Sequence, residues 1–147
     1  MSATIGFTLP QRGVFFGVTT MAEMLTLAAK ADASPFFGSV WVGDSLGAKP
    51  RPDSLTLLGA LASVTKRLRL GVGCMASFPV RDPLVFAYQW GTLDLLSSGR
   101  MLLAACTGLV GGGASARTVW WRTSRSVAGC GARSACRTRV AFAPSRT

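Results

Sequence analysis

The side chains best suited to chemistry are unevenly spread along this chain of 147 residues. Histidine is absent, which removes the commonest general base and the commonest zinc ligand. Cys130 and Cys136 are separated by five residues and have no histidine or further cysteine close to them, so they make a poor zinc-binding set. Cys74 and Cys106 are expected to be buried, unreactive, small apolar side chains.

The second suggestive feature is the basic C-terminal stretch. Residues 111–147 contain seven arginines and no acidic residue, whereas residues 1–110 carry nine basic and six acidic residues. Arginines for phosphates and Trp120–Trp121 for stacking on bases would suit a nucleic-acid-binding tail. The glycine cluster GLVGGG (residues 108–113) is a weak phosphate-loop signal, because no Lys-Ser/Thr follows it.

Residues 111–147 also lack any apolar period typical of a helix or a strand. GC-rich DNA read in a shifted frame would give the same excess of Arg, Ala, Gly and Ser, and the whole chain has no Asn and one Ile. We therefore interpret residues 111–147 as a low-order tail, translated in a shifted frame. The alternative is a small α/β binding module with a cationic nucleic-acid-binding tail.

The elements that would position any site lie in residues 1–110. Four apolar runs predict strands, at residues 3–9, 39–44, 68–75 and 101–106. These runs are too apolar to have one face in water, so they predict a parallel sheet covered by helices. The order β-α-β-α-β-α-β suits either a doubly wound sheet or a (β/α)8 barrel, and the local pattern leaves both open.

Three helices are predicted between the strands. Thr20 and Glu23 have the spacing of a capping box at the start of the first helix. Asp53 is a suitable N-cap for the second helix, and Asp82 followed by Pro83 begins the third. The residues predicted on the buried faces of the first two helices are Met24, Leu27, Ala28, Ala31, Leu57, Leu58, Leu61, Ala62 and Thr65.

Membrane insertion and secretion are not indicated. No apolar run reaches the roughly 18–20 residues that a membrane-spanning helix needs. The N-terminal Met-Ser-Ala-Thr carries no positive charge ahead of an apolar stretch, as a signal peptide would. A cytoplasmic location is therefore expected.

Three segments carry a family resemblance: SVWVGDSL, KPRPDSLTLLGALASVTKRLRLGVGCM and RDPLVFAYQWGTLDLLSSGRMLLAACTG. Their motifs Trp-Val-x-Asp, Thr-x-Arg-x-x-Leu-Gly, Arg-Asp-Pro and Leu-Asp-x-Leu-Ser-x-Gly-Arg resemble, in order and spacing, the N-terminal half of the luciferase-like monooxygenases. The resemblance covers about residues 3–110. It implies an incomplete (β/α)8 TIM barrel of about the first four βα units, in a family of flavin- or deazaflavin-dependent oxidoreductases.

The resemblance also implies a cofactor-binding site at the carboxyl ends of the strands. Its residues would be Asp44, Ser45, Gly73, Cys74, Ala76, Ser77 and Thr107. Family members often have a non-proline cis peptide at the position of Gly73–Cys74, which forms a bulge behind the isoalloxazine ring. Many deazaflavin-using relatives have histidine where this chain has Ser45, so FMN and a deazaflavin coenzyme both stay open. Cys106 replaces a residue that is commonly glycine, and Asp44 would also suit a turn or a helix cap.

The function implied by the resemblance is hydride transfer to or from a flavin-type ring, often with activation of O₂. In the full-length parent the partners would be the cofactor and a small-molecule substrate. Barrels of this type grip the cofactor phosphate with loops after strands 7 and 8, which half a barrel lacks. We therefore expect a truncated oxidoreductase with little activity as an isolated chain, and self-association through the open edges of its first and fourth strands.

Overall fold

A computed structural model describes residues 5–45 and 49–106. Within them the strands are β1 (Ile5–Thr8), β2 (Phe37–Asp44), β3 (Arg69–Met75) and β4 (Met101–Ala105), and the helices are α1 (Met21–Ala33), α2 (Ser54–Val64) and α3 (Pro83–Leu96). Short 3₁₀ turns at Gln11–Val14 and Phe78–Val80 were not predicted. The predictions for Thr107, GLVGGG, Trp120–Trp121, Cys130, Cys136 and the tail lie outside the described residues.

The four strands form one parallel sheet in the order β1-β2-β3-β4. Each strand pairs with the strand before it in the sequence, and α2 contacts both α1 and α3, so the intervening helices lie on the same face. Helix α2 packs on both β2 and β3, and α1 packs on β2. The predicted α/β class is confirmed, and the described part has the architecture of a partial TIM barrel.

The hydrophobic core lies between the helices and one face of the sheet, which we call the helix face. Its strand residues include Val40, Val42, Leu70, Val72 and Leu103, none more than 2% exposed. Successive residues of a strand point to opposite faces of the sheet. The strand residues next to these buried ones therefore point to the other face.

The helix predictions are confirmed except at one position. The buried residues include Met24, Ala28, Ala31, Leu57, Leu58, Leu61, Ala62 and Thr65. Leu27 was predicted on the buried face of α1, but 46% of it is exposed. Met24, Ala28 and Ala31 follow one another at spacings of four and three along the helix, and Leu27 lies at the margin of that stripe.

Side-chain caps begin all three helices where the sequence predicts them. The Thr20 hydroxyl accepts from the Glu23 amide while the Glu23 carboxylate accepts from the Thr20 amide. Asp53 accepts from the Thr56 amide, and Asp82 accepts from the Val85 amide. Among the described residues, no helix is long and apolar enough to cross a membrane.

Asp32 at the end of α1 holds the start of β3. Its carboxylate accepts from the amides of Lys66, Arg67 and Leu68 at 2.8, 2.9 and 2.7 Å. Burial acts to raise the pKa of Asp32, but these three bonds and the Arg67 charge lower it below the usual value.

Arg100 binds the same end of the sheet from the turn before β4. Its guanidinium donates to the Thr65 hydroxyl and to the carbonyls of Thr65, Leu68 and Ala62, while its Nε donates to the Ser97 carbonyl. These contacts lie at the amino ends of β3 and β4, the end of a barrel that serves stability. The opposite end is left for chemistry.

Candidate functional site

The second face of the sheet, which we call the open face, is covered by none of the described helices. It carries Gly6 of β1, Trp41 of β2, Gly71 and Gly73 of β3 and Leu102 of β4. Thr8, Ser39 and Arg69 lie on the same face by the same register, so the Trp41 ring adjoins glycines on a surface that also carries polar side chains.

Trp41 lies across two glycines of this face, Gly6 and Gly71. A Cβ at Gly71 would be 2.4 Å from Cε3 of Trp41, and one at Gly6 would be 2.9 Å from Nε1. The indole Nε1–H donates to the Ser39 hydroxyl at 2.9 Å, which fixes the ring in the plane it occupies. Glycine at both positions is therefore what allows the indole to lie flat on the strands.

Asp44 ends β2 and is 7% exposed. Its Oδ1 accepts from the Ser54 hydroxyl of α2 at 3.1 Å, and its Oδ2 accepts from the Ser77 amide at 2.7 Å. Because Val42 and Asp44 share one side of β2, the carboxylate points to the helix face. It connects three segments and has both oxygens occupied by protein donors.

Arg81 completes this connection. Its Nε donates to the Ser77 hydroxyl at 2.7 Å, and its Nη2 lies 3.0 Å from Asp53 and 3.7 Å from Asp44. Asp53 is also the N-cap of α2. The guanidinium thus joins the start of α2 to the segment after β3.

A small cleft follows the carboxyl end of β2. It has a volume of about 90 Å³ and is lined by Asp44, Ser45 and residues 49–53. The Ser45 hydroxyl donates to the Lys49 carbonyl at 3.1 Å. The Arg51 guanidinium packs against Gly43, and its buried Nε has no partner within the part of the chain that the structure describes.

Strand β3 bulges at Gly73–Cys74. Its register with both neighbouring strands shifts between Val72 and Met75, so an extra residue is accommodated there. The expected cis peptide is not found: every peptide bond among the described residues is trans. The bulge that the resemblance implied is therefore built from trans peptides.

Cys74 and Cys106 correct another expectation. They were expected to be buried and unreactive, but Cys74 is exposed and Cys106 is partly exposed. The bulge turns Cys74 to the open face, where its sulfur lies 2.9 Å from that of Cys106. Partial burial, the neighbouring thiol and the charge of Asp44 raise the pKa of Cys74 to about 11.

The structure divides the candidate cofactor residues into two groups. Asp44 and Ser77 are buried and joined by a hydrogen bond, and Ser45 follows Asp44 in the chain. Gly73 and Cys74 lie on the open face, and Ala76 is partly exposed after them. The sequence analysis did not single out Ser54, Arg81 or Arg51 as site residues. The Arg-Asp-Pro motif was a signal for Arg81, since it places this arginine directly before the α3 cap.

Residues 4–120 match the family model for luciferase-like monooxygenases. The chain belongs to this family. A search of the curated proteins found no match.

Solved structures agree with this luciferase-like assignment in their fold. Monooxygenase RslO1 from Streptomyces bottropensis is 19% identical with a TM-score of 0.66, over 85% of this chain and 42% of that one. An F420-dependent secondary alcohol dehydrogenase, bound to an F420–acetone adduct, is 19% identical with a TM-score of 0.66, over 87% and 42%. The oxygenating constituent of 3,6-diketocamphane monooxygenase from Pseudomonas putida, bound to FMN, is 16% identical with a TM-score of 0.64, over 88% and 38%.

This luciferase-like chain therefore spans less than half the length of each of these three proteins. Among the described residues, the open face has free space at the β3 bulge. A Cβ at Gly73 would meet nothing closer than the Val42 carbonyl oxygen at 3.9 Å, so this position has free space.

Proposed function

We propose that this chain supplies the ring-binding half of a flavin- or deazaflavin-dependent oxidoreductase that acts on a small molecule. The observation that carries the proposal is the exposed bulge at Gly73–Cys74 on the open face, where a Cβ at Gly73 would have no neighbour closer than 3.9 Å. Membership of the luciferase-like monooxygenase family supports it. So do the solved relatives, one with F420 and another with FMN.

When bound, the cofactor would supply the two-electron chemistry, and the protein would bind it, orient it and exclude water. Gly73, Cys74 and Ala76 would line the ring, with Ser45 at the neighbouring strand end. Thr107, which follows β4, is proposed for the same wall from the resemblance alone.

Asp44 has a different part in this proposal. Both of its oxygens already accept hydrogen bonds from Ser54 and Ser77, and Arg81 lies beside them. A carboxylate with these partners is a positioning residue. It holds the carboxyl ends of β2 and β3 at the spacing that the cofactor needs, and Ser77 acts with it and not on the ring.

The choice between FMN and a deazaflavin is decided by titration. Purified chain is titrated with FMN and, separately, with F420, and bound cofactor is followed by its fluorescence. Because the chain spans less than half of its solved relatives, we propose that it binds weakly and turns over little by itself. Saturable but weak binding of one of the two is the expected result.

Two matched variants locate the binding site. Gly73→Leu fills the free space at the bulge and is expected to abolish binding. Gly91→Leu puts the same side chain at a glycine of α3 that also has open space, and should leave binding unchanged. Equal binding by both variants would place the cofactor elsewhere. Tight stoichiometric binding by the unsubstituted chain would refute the proposal that it binds the cofactor weakly. The absence of any saturable binding by the unsubstituted chain would refute the ring site.

Three further points stay proposals. Residues 111–147 are proposed to arise from a shifted frame, and sequencing the coding DNA across codons 108–147 tests this directly. Another open frame that continues the family pattern is expected, and closed frames would refute it.

Self-association through β1 and β4, the outer strands of the described sheet, is tested by analytical ultracentrifugation, where a strict monomer would refute it. A cytoplasmic location is proposed on the sequence alone.

A further inference from the structure

Two thiols of this chain are close enough to react with each other. The sulfurs of Cys74 and Cys106 lie 2.9 Å apart, and both residues are free cysteines. Cys74 belongs to β3 and Cys106 directly follows β4, so 31 residues of chain separate two atoms that are in contact. Tertiary structure, and not sequence proximity, makes them a pair.

The strand pairing explains how the two sulfurs meet. Met75 pairs with Ala105 across β3 and β4, and the cysteines are the adjoining residues, one before Met75 and one after Ala105. Met75 is buried on the helix face, so its neighbour in the bulge points to the open face. Both thiols therefore sit on the exposed side of the same strand ends.

We propose that Cys74 and Cys106 form a reversible oxidation site, which hydrogen peroxide converts to an intramolecular disulfide between β3 and β4. The sulfurs need only close from 2.9 Å to the S–S bond length of about 2.05 Å. The oxidant must also reach one of the two sulfurs, and Cys74 is exposed.

The oxidation takes two steps. One thiolate attacks a peroxide oxygen and the O–O bond breaks, which gives a sulfenic acid and, after proton transfer, one water. The second thiol attacks the sulfenic sulfur, the S–S bond forms, and the hydroxyl leaves as a second water. Two thiols are oxidised by two electrons and one hydrogen peroxide is reduced to two waters.

The surroundings of Cys74 set the rate of the first step. Partial burial, Cys106 and the carboxylate of Asp44 keep Cys74 protonated at neutral pH, and only the thiolate is a good nucleophile. The reaction is therefore slow near pH 7 and accelerates as the pH rises toward 11. The site responds to sustained oxidation and not to a brief pulse.

The disulfide would also join the ends of two strands across a loop of 31 residues. A crosslink of this kind restricts the unfolded chain and raises the midpoint of urea unfolding. The test is run on chain to which no flavin has been added, so its outcome does not depend on the proposed function.

The experiment uses the full chain with Cys130→Ser and Cys136→Ser, so that only the two paired cysteines remain. The protein is treated with hydrogen peroxide, alkylated, digested with trypsin and analysed by mass spectrometry. Cleavage after Arg69, Arg81, Arg100 and Arg117 places the two cysteines in separate peptides, residues 70–81 and 101–117. A disulfide is then visible as one crosslinked species.

The expected result is that free thiols fall from two to none per chain, with the crosslinked peptide recovered from monomer and lost on addition of dithiothreitol. Adding Cys74→Ser should leave only oxygen adducts on the remaining thiol. Methionine oxidation is separated by its resistance to dithiothreitol. Two alkylated cysteines after prolonged peroxide, or a crosslink found only between chains, would overturn the proposal.

Discussion

The contact between Trp41 and Gly71 predicts a steep stability cost for one methyl group. In Gly71→Ala the new Cβ would lie 2.4 Å from Cε3 and 2.5 Å from Cζ3 of Trp41. Carbon atoms pack at about 3.5–4.0 Å, so the indole must shift by about 1 Å or more. The ring is not free to shift, because its Nε1–H is bonded to Ser39.

The expected cost combines two effects. Overpacking of a well-filled site typically costs about 1–3 kcal/mol. Loss of the indole hydrogen bond adds about 1 kcal/mol. We therefore expect Gly71→Ala to lower the free energy of unfolding by about 2–4 kcal/mol. Urea unfolding followed by circular dichroism at 222 nm measures the change without depending on tryptophan fluorescence.

Gly73→Ala is the matched control, two residues away on the same face. Its Cβ would have no neighbour closer than 3.9 Å, so the expected cost is below about 1 kcal/mol. In a Trp41→Leu background the penalty of Gly71→Ala should also fall below about 1 kcal/mol, because the clashing ring is gone. Equal stabilities of the two alanine variants, or an unchanged penalty without the indole, would refute this account of the open face.

Three other predictions concern charges and the exposed thiol. Asp32→Asn should cost about 1–3 kcal/mol at pH 7. Because the folded pKa of Asp32 is lowered, this difference is present above the ordinary value of 3.8 and disappears as the pH falls through the folded pKa in acid urea titrations. Arg100→Met should cost at least about 2 kcal/mol in the same assay, against about 0.5 kcal/mol or less for the exposed Arg69→Met, and equal costs would contradict the bonding described. Iodoacetamide should label Cys74 slowly at pH 8 and faster through pH 11, and a plateau by pH 9 would show an ordinary thiol.

The fold was predictable because its signals are local. Each helix begins after a residue whose side chain accepts a hydrogen bond from the backbone amide three residues later. Thr20, Asp53 and Asp82 have this role, and these spacings are visible in the sequence. The strands are short apolar runs between those helices. Leu27 was predicted wrongly because the helical period shows which side of a helix is buried but not how far around the helix the buried face extends.

The site was less predictable because its contacts are not local. Asp44 is visible as a residue at a strand end, but its partners Ser54, Ser77 and Arg81 come from two later segments of the chain. The exposure of Cys74 depends on the bulge, which moves the residue to the opposite face from the one that simple alternation gives. Neither fact follows from residue type or spacing.

The sequential strand order has a consequence for how the chain acquires its structure. Because β2 pairs with β1, β3 with β2 and β4 with β3, each new strand docks on one that the ribosome has already released. No described strand has to wait for a distant segment before it finds a neighbour, so the entropy of closing long loops is avoided at every step. The sheet can therefore grow during translation, one βα unit at a time.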